Sequence, residues 1–411
     1  MHFNSLLQKL LGIEHLIVLG SGFEDHADGR VLVVNVRAYW DRQSRCPKCD
    51  KRCPGYDQGA RLRKWRHIDL GGWKCYLQGA VRRIECDVHG VLTEAVPWAR
   101  PAAKMTRVFD DTVAWLTAHS PASAVSEFMR VSWRTVQRIV ERVIADSTGG
   151  SDRLNGLRRI GIDEISYRKG HRYLTVIVDH ESGRLVWAHE GATKKTLHRF
   201  FRELGAERTS ALTHVSADGG RYIASVLAER VPHAIWCMDP FHVVQWATRA
   251  VDRCRQRVLH RINGLSQADR RQLRWALLKN PENLNPGQRR ARRALVNGAN
   301  SELAAAYQFK EELRHLFAGR YDDPWAALQD WLDRAAQSGI IEVAGLAKSV
   351  GDQQVQIYNS IEVGLSNARV EATNTHLRAL TKRAYGFHSP ESLIAMATLT
   401  RGGACPALPQ R

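Results

Sequence analysis

The apolar positions change period along the chain, and each change marks a new kind of element. Residues 11–19 form an apolar segment, and residues 31–36 form a strand-like run. Between 41 and 98 the apolar runs are short, as at 73–76 and 81–84, which predicts small strands. From 105 to 145 the period becomes helical. Val108, Val113 and Leu116 share one stripe; Val136, Ile139, Val140 and Val143 share another. Thr106 and Ser132 stand at N-cap positions, where a hydroxyl can accept from a free N–H of the first turn. His119-Ser120-Pro121 and Arg130-Val131 interrupt the pattern, so three helices are expected, the last over 133–144.

Between 158 and 240 strand and helix patterns alternate. Strands are predicted at 159–164, 172–179, 184–189, 212–216 and 234–239, with helices at 193–204 and 221–230. The order βββαβαβ is that of an RNase H-like fold, a three-strand meander extended by parallel strands through crossover helices. Residues 241–345 read as helical, with turns at Asn280-Pro281, Pro286-Gly287 and Asp322-Asp323-Pro324, and 346–388 return to a helix with a polar face. The expected fold class is multidomain α+β. A small N-terminal domain spans 1–100 and a helical domain 101–150. An α/β core occupies 155–245 and resumes at 346–395, interrupted by an all-helical insertion at 246–345. Residues 396–411 are expected to be a flexible tail.

Three groups of residues carry candidate chemistry. Cys46-x-x-Cys49 and Cys86-x-x-His89 supply four soft or imidazole ligands for tetrahedral zinc, with Cys53 a competitor for the place of Cys49. Four protein ligands leave no open position, so the role is structural. Asp163 and Glu164 are expected to end the first strand of the meander, and Asp218 to follow the fourth, which sets Asp163 and Asp218 side by side. Glu371, Asn374 and Arg378 fall at i, i+3 and i+7 and share a helix face. Three clustered acids repel unless Mg²⁺ or Mn²⁺ neutralises them, and such ions suit phosphodiester chemistry. Asp239 also ends a strand and competes with Asp218 for the second place. On the helix over 133–144, Arg134, Gln137, Arg138 and Arg142 lie opposite the apolar stripe, and side chains of this kind read base edges and phosphates.

Charge points the same way. The formal net charge is +18, which favours an anionic polymer as partner. Five of the eight cysteines crowd between 46 and 86, a local metal site rather than a disulfide scaffold. No run of about 18 apolar residues exists, and the first residues lack a basic leader, so neither a membrane span nor secretion is expected.

Together these landmarks resemble the DDE transposases of bacterial insertion sequences, specifically the ISL-three group, over residues 46–387. The resemblance rests on the two zinc-ligand pairs, Gly161-Ile162-Asp163-Glu164, Tyr173-Leu174-Thr175-Val176, and Asp218 followed by Tyr222. It continues through Asp239-Pro240-Phe241-His242-Val243, Glu371-x-x-Asn374 and Lys382-Arg383-Ala384-Tyr385-Gly386-Phe387. It implies a catalytic triad of Asp163, Asp218 and Glu371 working with Mg²⁺ or Mn²⁺, and a supporting Asp239–His242 pair. Arg378 and Lys382 would hold phosphate, and Asn374 would orient the DNA backbone or the surroundings of Glu371. The zinc and helix-turn-helix modules would read terminal inverted repeats. Its partners would be double-stranded transposon ends and target DNA, in a homodimer or larger synaptic assembly on the nucleoid of a bacterial cytoplasm. Two positions depart from the group: Ala372 replaces the usual glycine, and His89 the usual cysteine. A DNA-binding repressor descended from a transposase would have lost an acid, and all three are present. A nuclease of the same fold acting on RNA or branched DNA would have no use for two DNA-reading modules.

Overall fold

The computed structural model describes residues 3–26, 29–57, 60–149, 152–260, 266–296, 301–319, 321–384, 387 and 389–408. Tyr385 and Gly386 of the landmark at 382–387, and the last three residues of the tail, lie outside that set. The chain divides into two units, Met1–Asp152 with Arg383–Arg411, and Arg153–Lys382. None of its described helices is long and apolar enough to cross a membrane.

In the first unit the apolar segment at 11–19 splits. Helix α1 (Phe3–Leu11) ends at Gly12, whose φ of 62° only glycine adopts without cost, and strand β1 (Leu16–His26) begins beyond it. Strand β2 (Gly29–Ala38) turns Val31, Val33 and Val36 to the core. Strands β3 (Arg61–Leu70) and β4 (Trp73–Val81) complete a sheet of order β1-β2-β4-β3. The expected strand at 81–84 does not exist as one piece. The chain leaves the sheet after Val81, and β5 (Arg83–Cys86) pairs instead with β6 (Gly90–Thr93), which carries Cys86 into a separate small ribbon.

Three helices follow as the caps predict: α2 (Arg107–His119), α3 (Ala122–Phe128) and α4 (Trp133–Thr148). Thr106 Oγ1 accepts from the Phe109 N–H at 3.2 Å, and Ser132 Oγ accepts from the Thr135 N–H at 3.3 Å. Phe109, Val113, Val125, Val136, Ile139 and Val140 form their core. The expectation of a flexible tail over 396–411 is overturned for its first part. The chain's last helix, Pro390–Arg401, packs into this core through Leu399, and Ala404 beyond it is buried too. An apolar face filled by a distant segment is invisible to local periodicity. The same packing ends the catalytic unit at Lys382 rather than at 395.

Tertiary packing also corrects two residues of α4. Arg142 is not free to meet DNA: its Nε and Nη2 both donate to Asp110 at 2.9 Å, and the Asp110 side chain is fully buried. Gln137 is half-buried and donates to Glu141 Oε1 at 3.0 Å and to Ser392 Oγ at 3.1 Å. Arg134 and Arg138, one turn apart, remain exposed.

The second unit begins with β7 (Arg159–Arg168), β8 (Arg172–Asp179) and β9 (Leu185–Glu190), the predicted meander. Helices α5 (Lys194–Leu204) and α6 (Ala206–Ser210), β10 (His214–Ala217), α7 (Arg221–Arg230) and β11 (Ile235–Met238) follow. The sheet order is β11-β10-β7-β8-β9, parallel on the β10 side and antiparallel on the β8 side. Ile160, Ile162, Ile177 and Trp187 pack against Leu197, Phe200 and Leu204 of α5 and against Val226 of α7. β7 does not end at Asp163 and Glu164 as expected. Its hairpin partner β8 holds it through Ser166↔Tyr173, whereas the parallel ladder with β10 stops at Gly161.

Helix α8 (Pro240–His260) leads from β11 into the insertion, formed with α9 (Gln267–Leu278), α10 (Pro286–Val296), α11 (Ser301–Leu316), α12 (Pro324–Ala336) and α13 (Ile341–Gly351). One apolar core runs through it, from Val243 and Val251 to Leu313, Trp331 and Val350. Arg257 cross-links it by donating to both Glu342 oxygens at 2.8 Å and to Glu302. Helix α14 (Gln354–Val363) returns to the sheet, where Asn359 and Ser360 donate to the β11 carbonyls of Trp236 and Met238 at 3.0 and 2.7 Å. Helix α15 (Ala368–Arg383) then lies on the sheet, and α16 is the final helix.

The Arg142–Asp110 pair gives a direct test. In Arg142→Ala the buried Asp110 keeps only Arg100, at 3.6 Å. Unfolding measurements should show a loss of about 2–4 kcal/mol in the first unit, as for other broken buried ion pairs. A merely DNA-binding arginine would leave stability unchanged.

Candidate active site and zinc cluster

The ends of β10 and β11 and the middle of β7 meet on one row. β10 pairs with β7 through Ser216↔Gly161 and with β11 through Ala217↔Met238. Carried two rungs further, the first register sets Asp218 opposite Asp163. One rung further, the second sets it opposite Asp239, whose N–H donates to Ala217 O at 3.0 Å. Rung partners in a parallel sheet start from the same face, so three aspartates line one edge. Their settings differ. Asp218 is half-buried and accepts from the Gly220 N–H at 3.0 Å. Asp239 is 2% exposed and accepts from the Phe241 N–H at 3.3 Å and from His242 Nδ1 at 2.8 Å.

Helix α15 covers this row because β7 offers it a glycine. A Cβ on Gly161 would stand 2.8 Å from His180 Nε2 and closer still to Val370 of α15. Val370 therefore rests on bare backbone. Around that contact Ser216 Oγ donates to Asn367 Oδ1, and Asn367 Nδ2 donates to Ile162 O at 3.2 Å. With its proton used on Asn367, Ser216 accepts from His180 Nε2 at 2.6 Å. Burial, with Arg369 adding to it, pushes the His180 imidazole down to about 4, which favours the neutral ring. Arg369 donates to the carbonyls of His180 and Glu181. One turn past Val370, Asn374 Nδ2 donates to Asp163 Oδ2 at 2.7 Å, while the Glu164 N–H donates to Oδ1 at 2.7 Å.

The predicted helix face is thus divided. Asn374, expected on the DNA backbone, is 2% exposed and spends its amide on Asp163, since the inward face of α15 is Val370, Thr373, Asn374 and Leu377. Glu371 is half-buried beside the row, and Arg378 and Lys382 are exposed. Among the described residues, oxygens of Asp163, Asp218 and Glu371 do not all come within 4.8 Å of one another.

Burial and like charge raise proton affinity at Asp163, Glu164 and Glu371. Asp163 is pushed up to about 6, first by burial, with Asp218 and Asp239 adding to it and the Glu164 N–H and His242 opposing. Burial, then Asp218 and Asp163, push Glu164 up to about 7. Glu371 rises through burial, Asp239 and Asp163. His242 rises because Asp239 accepts its hydrogen bond, which favours the imidazolium beside the acids. Glu164 Oε1 and Asn374 Oδ1 are buried without a hydrogen-bond partner. Orphaned oxygens among carboxylates form an all-oxygen donor set, the chemistry a hard divalent cation prefers. Glu164 was legible in the sequence only as a neighbour of Asp163; the seat formed by Gly161, His180, Ser216 and Asn367 carried no local signal.

The second predicted site is drawn tight. Cys46, Cys49, Cys86 and His89 place all four ligand atoms within 4.8 Å of one another. Cys49 and Cys86 Sγ are 3.8 Å apart, and His89 Nδ1 lies 3.6 Å from the sulfurs of Cys46 and Cys86. A tetrahedron with Zn–S bonds of about 2.3 Å has edges of about 3.8 Å, so the spacing suggests a structural zinc site. The Val88 N–H, with that of His89, brings the Cys86 thiol down to about 7. Cys53 lies outside the set and donates to Lys51 O at 3.4 Å. A second grouping, Cys254 with Glu302 and Glu342, is already served by the Arg257 guanidinium.

Two outcomes follow from these settings. Metal analysis of purified protein should give about one zinc per chain, and Cys86→Ser should lower it and unfold the β5–β6 ribbon. At the carboxylate row, ionising Glu164 costs the native state stability as pH rises from its ordinary 4.5 to about 7. Glu164→Gln removes that cost. In metal-free protein its unfolding free energy should exceed the wild-type value at about pH 8, by about 1–2 kcal/mol after solvent screening, with a higher melting temperature, and both should match wild type near pH 4.5. Equal melting at both pH values would mean that Glu164 is not strained.

Three segments of the chain match known protein families. Residues 160–397 match the ISL3 DDE family described as transposase, 94–144 the helix-turn-helix domain of transposase family ISL3, and 42–89 the zinc-finger of transposase IS204/IS1001/IS1096/IS1165. The chain is 43% identical to the transposase for insertion sequence element IS1557 of Mycobacterium tuberculosis, over 432 aligned positions covering 99% of this chain and 97% of that protein. It is 26% identical to the transposase for insertion sequence element IS1001 of Bordetella parapertussis, over 353 positions, 84% of this chain and 86% of that one. With its nuclease-fold unit, helix-turn-helix and cysteine cluster each matched in order, the chain belongs to the ISL3 family of DDE transposases.

Proposed function

We propose that Asp163, Asp218 and Glu371 are the catalytic carboxylates of this transposase, holding Mg²⁺ or Mn²⁺ for cleavage of transposon ends and transfer of the freed strand to target DNA. The observation that carries this reading is the register that lines up Asp163 and Asp218 beneath the helix bearing Glu371. When bound, the divalent cation supplies positive charge to the phosphate and polarises its oxygens. The chain's own residues set the stage. Asn374 and the Glu164 N–H fix both oxygens of Asp163. Asp239 is buried and committed to His242, so it orients that imidazolium and leaves the more open Asp218 as the second ligand. Arg378 and Lys382, exposed on the same helix, face the phosphate backbone. Water attacks the end phosphate and frees a 3′-hydroxyl, which in turn attacks a target phosphate.

Arg134 and Arg138 on α4 would contact terminal inverted repeats, and the zinc ribbon with its basic neighbours would add backbone contacts. Synapsis of two ends calls for a homodimer or a larger assembly, acting on nucleoid DNA in the bacterial cytoplasm.

Cleavage of labelled end DNA in Mg²⁺ or Mn²⁺ tests the assignment. Ala at Asp163, Asp218 or Glu371 should each abolish cutting, by about 10³-fold or more, and combining them should add little. Binding and folding should stay near wild type. Asp239→Ala should instead lower stability. If Asp218→Ala still cuts while folded Asp239→Ala does not, Asp239 is the second ligand.

A further inference from the structure

Beside Asp218 a cavity of about 610 Å³ opens between the start of α7, the outer face of α8 and α13. That volume falls within the range of about 300–1,000 Å³ common for ligand sites. Its polar wall is cationic. Arg221, Arg249 and Arg253 line it, and all three are exposed. Among the described residues Arg221 and Arg249 have no ion-pair partner. Two acids also border it, the exposed Asp352 and Glu342, which shares the Arg257 guanidinium with Glu302, so three arginines face two acids.

The cavity lies one residue along the chain from the carboxylate row. Gly219, the residue after Asp218, forms its near wall, and a Cβ there would meet Met238 and the Trp246 ring at 2.8 and 3.4 Å. On α8, His242, Trp246, Arg249 and Arg253 recur at spacings of four, three and four, one stripe of a single helix. The stripe begins at the imidazole beside the acids and runs outward along the cavity. Arg249 and Arg253 are about 6 Å apart along the helix axis at 1.5 Å per residue, which is about two phosphate steps of a strand advancing ~3.4 Å each.

We infer that this cavity binds the phosphodiester backbone of the DNA strand continuing from the scissile phosphate, with Arg249 and Arg253 on phosphates about two steps apart and Arg221 on the flank. The inference rests on the carboxylate row being the cutting site.

Binding by the full-length chain to a duplex spanning the junction of its encoding element and flanking DNA tests it, with single phosphates replaced by neutral methylphosphonate. Arg249→Ala with Arg253→Ala should reduce the slope of log affinity on log salt by about 2, so a fourfold rise in salt costs about 16-fold less affinity than in wild type. Arg249→Lys with Arg253→Lys should keep most of the slope, and Arg221→Ala alone should reduce it by about 1. Methylphosphonates beside the cut should weaken wild type and leave the double Ala variant indifferent. An unchanged slope in a folded double Ala variant, or sensitivity that persists in it, overturns the inference. A wild type that shows the slope change and the interference but never cuts in Mg²⁺ or Mn²⁺ refutes the carboxylate reading and spares the cavity. Cutting without any slope change refutes the cavity alone.

Discussion

The closeness of α15 to β7 governs the catalytic unit. Glu371 and Asn374 reach the aspartate row only because Val370 sits where a side chain on Gly161 would be. Adding one methyl group there would push a helix off a sheet, and every polar contact beyond it would lengthen. The buried chain His180–Ser216–Asn367 closes around the same point and ties the start of α15 to two strands. A neutral, proton-donating His180 is part of that tie, and burial maintains it. Charging this ring would leave an imidazolium in an apolar seat, so the seat itself is sensitive to acid.

With α15 in place, the row balances opposed costs. Burial and mutual repulsion disfavour three ionised acids, and the protein supplies only partial compensation: one amide, one backbone N–H and one imidazolium. The remaining debt shows as raised proton affinities at Asp163, Glu164 and Glu371 and as orphaned oxygens on Glu164 and Asn374. A site optimised for its own stability would have paired those oxygens. One that leaves them unpaired keeps a demand for added positive charge, the kind of demand a hard divalent cation satisfies.

The other modules solve simpler problems. The zinc ribbon is too small to bury a core of its own; Cys46, Ile84 and Cys86 are its entire buried set, so metal coordination stands in for apolar burial. The helix-turn-helix has an adequate core but borrows part of it from α16, far along the chain. That borrowing explains why Gln137 is half-covered and why its two exposed neighbours, Arg134 and Arg138, are the better candidates for contact with DNA.

Local sequence determined the elements and the ligand types. The N-caps at Thr106 and Ser132, the βββαβαβ order and the paired zinc motifs all depend on neighbours within a few residues, and all are present as read. The candidate acids were legible for the same reason: Asp163, Asp218 and Glu371 sit in short motifs. Tertiary structure decided whatever depends on partners distant in the chain. It extended β7 past Glu164, because only the hairpin partner and not the parallel neighbour continues there. It turned Arg142 inward to Asp110 and Asn374 inward to Asp163, although helical periodicity marks both as polar and therefore outward. It packed residues 396–404 into the helix-turn-helix core. Periodicity reports which face of an element is apolar. It cannot report that a buried carboxylate on another element will draw a polar side chain in, because the energy of that pairing exists only once the two elements have met.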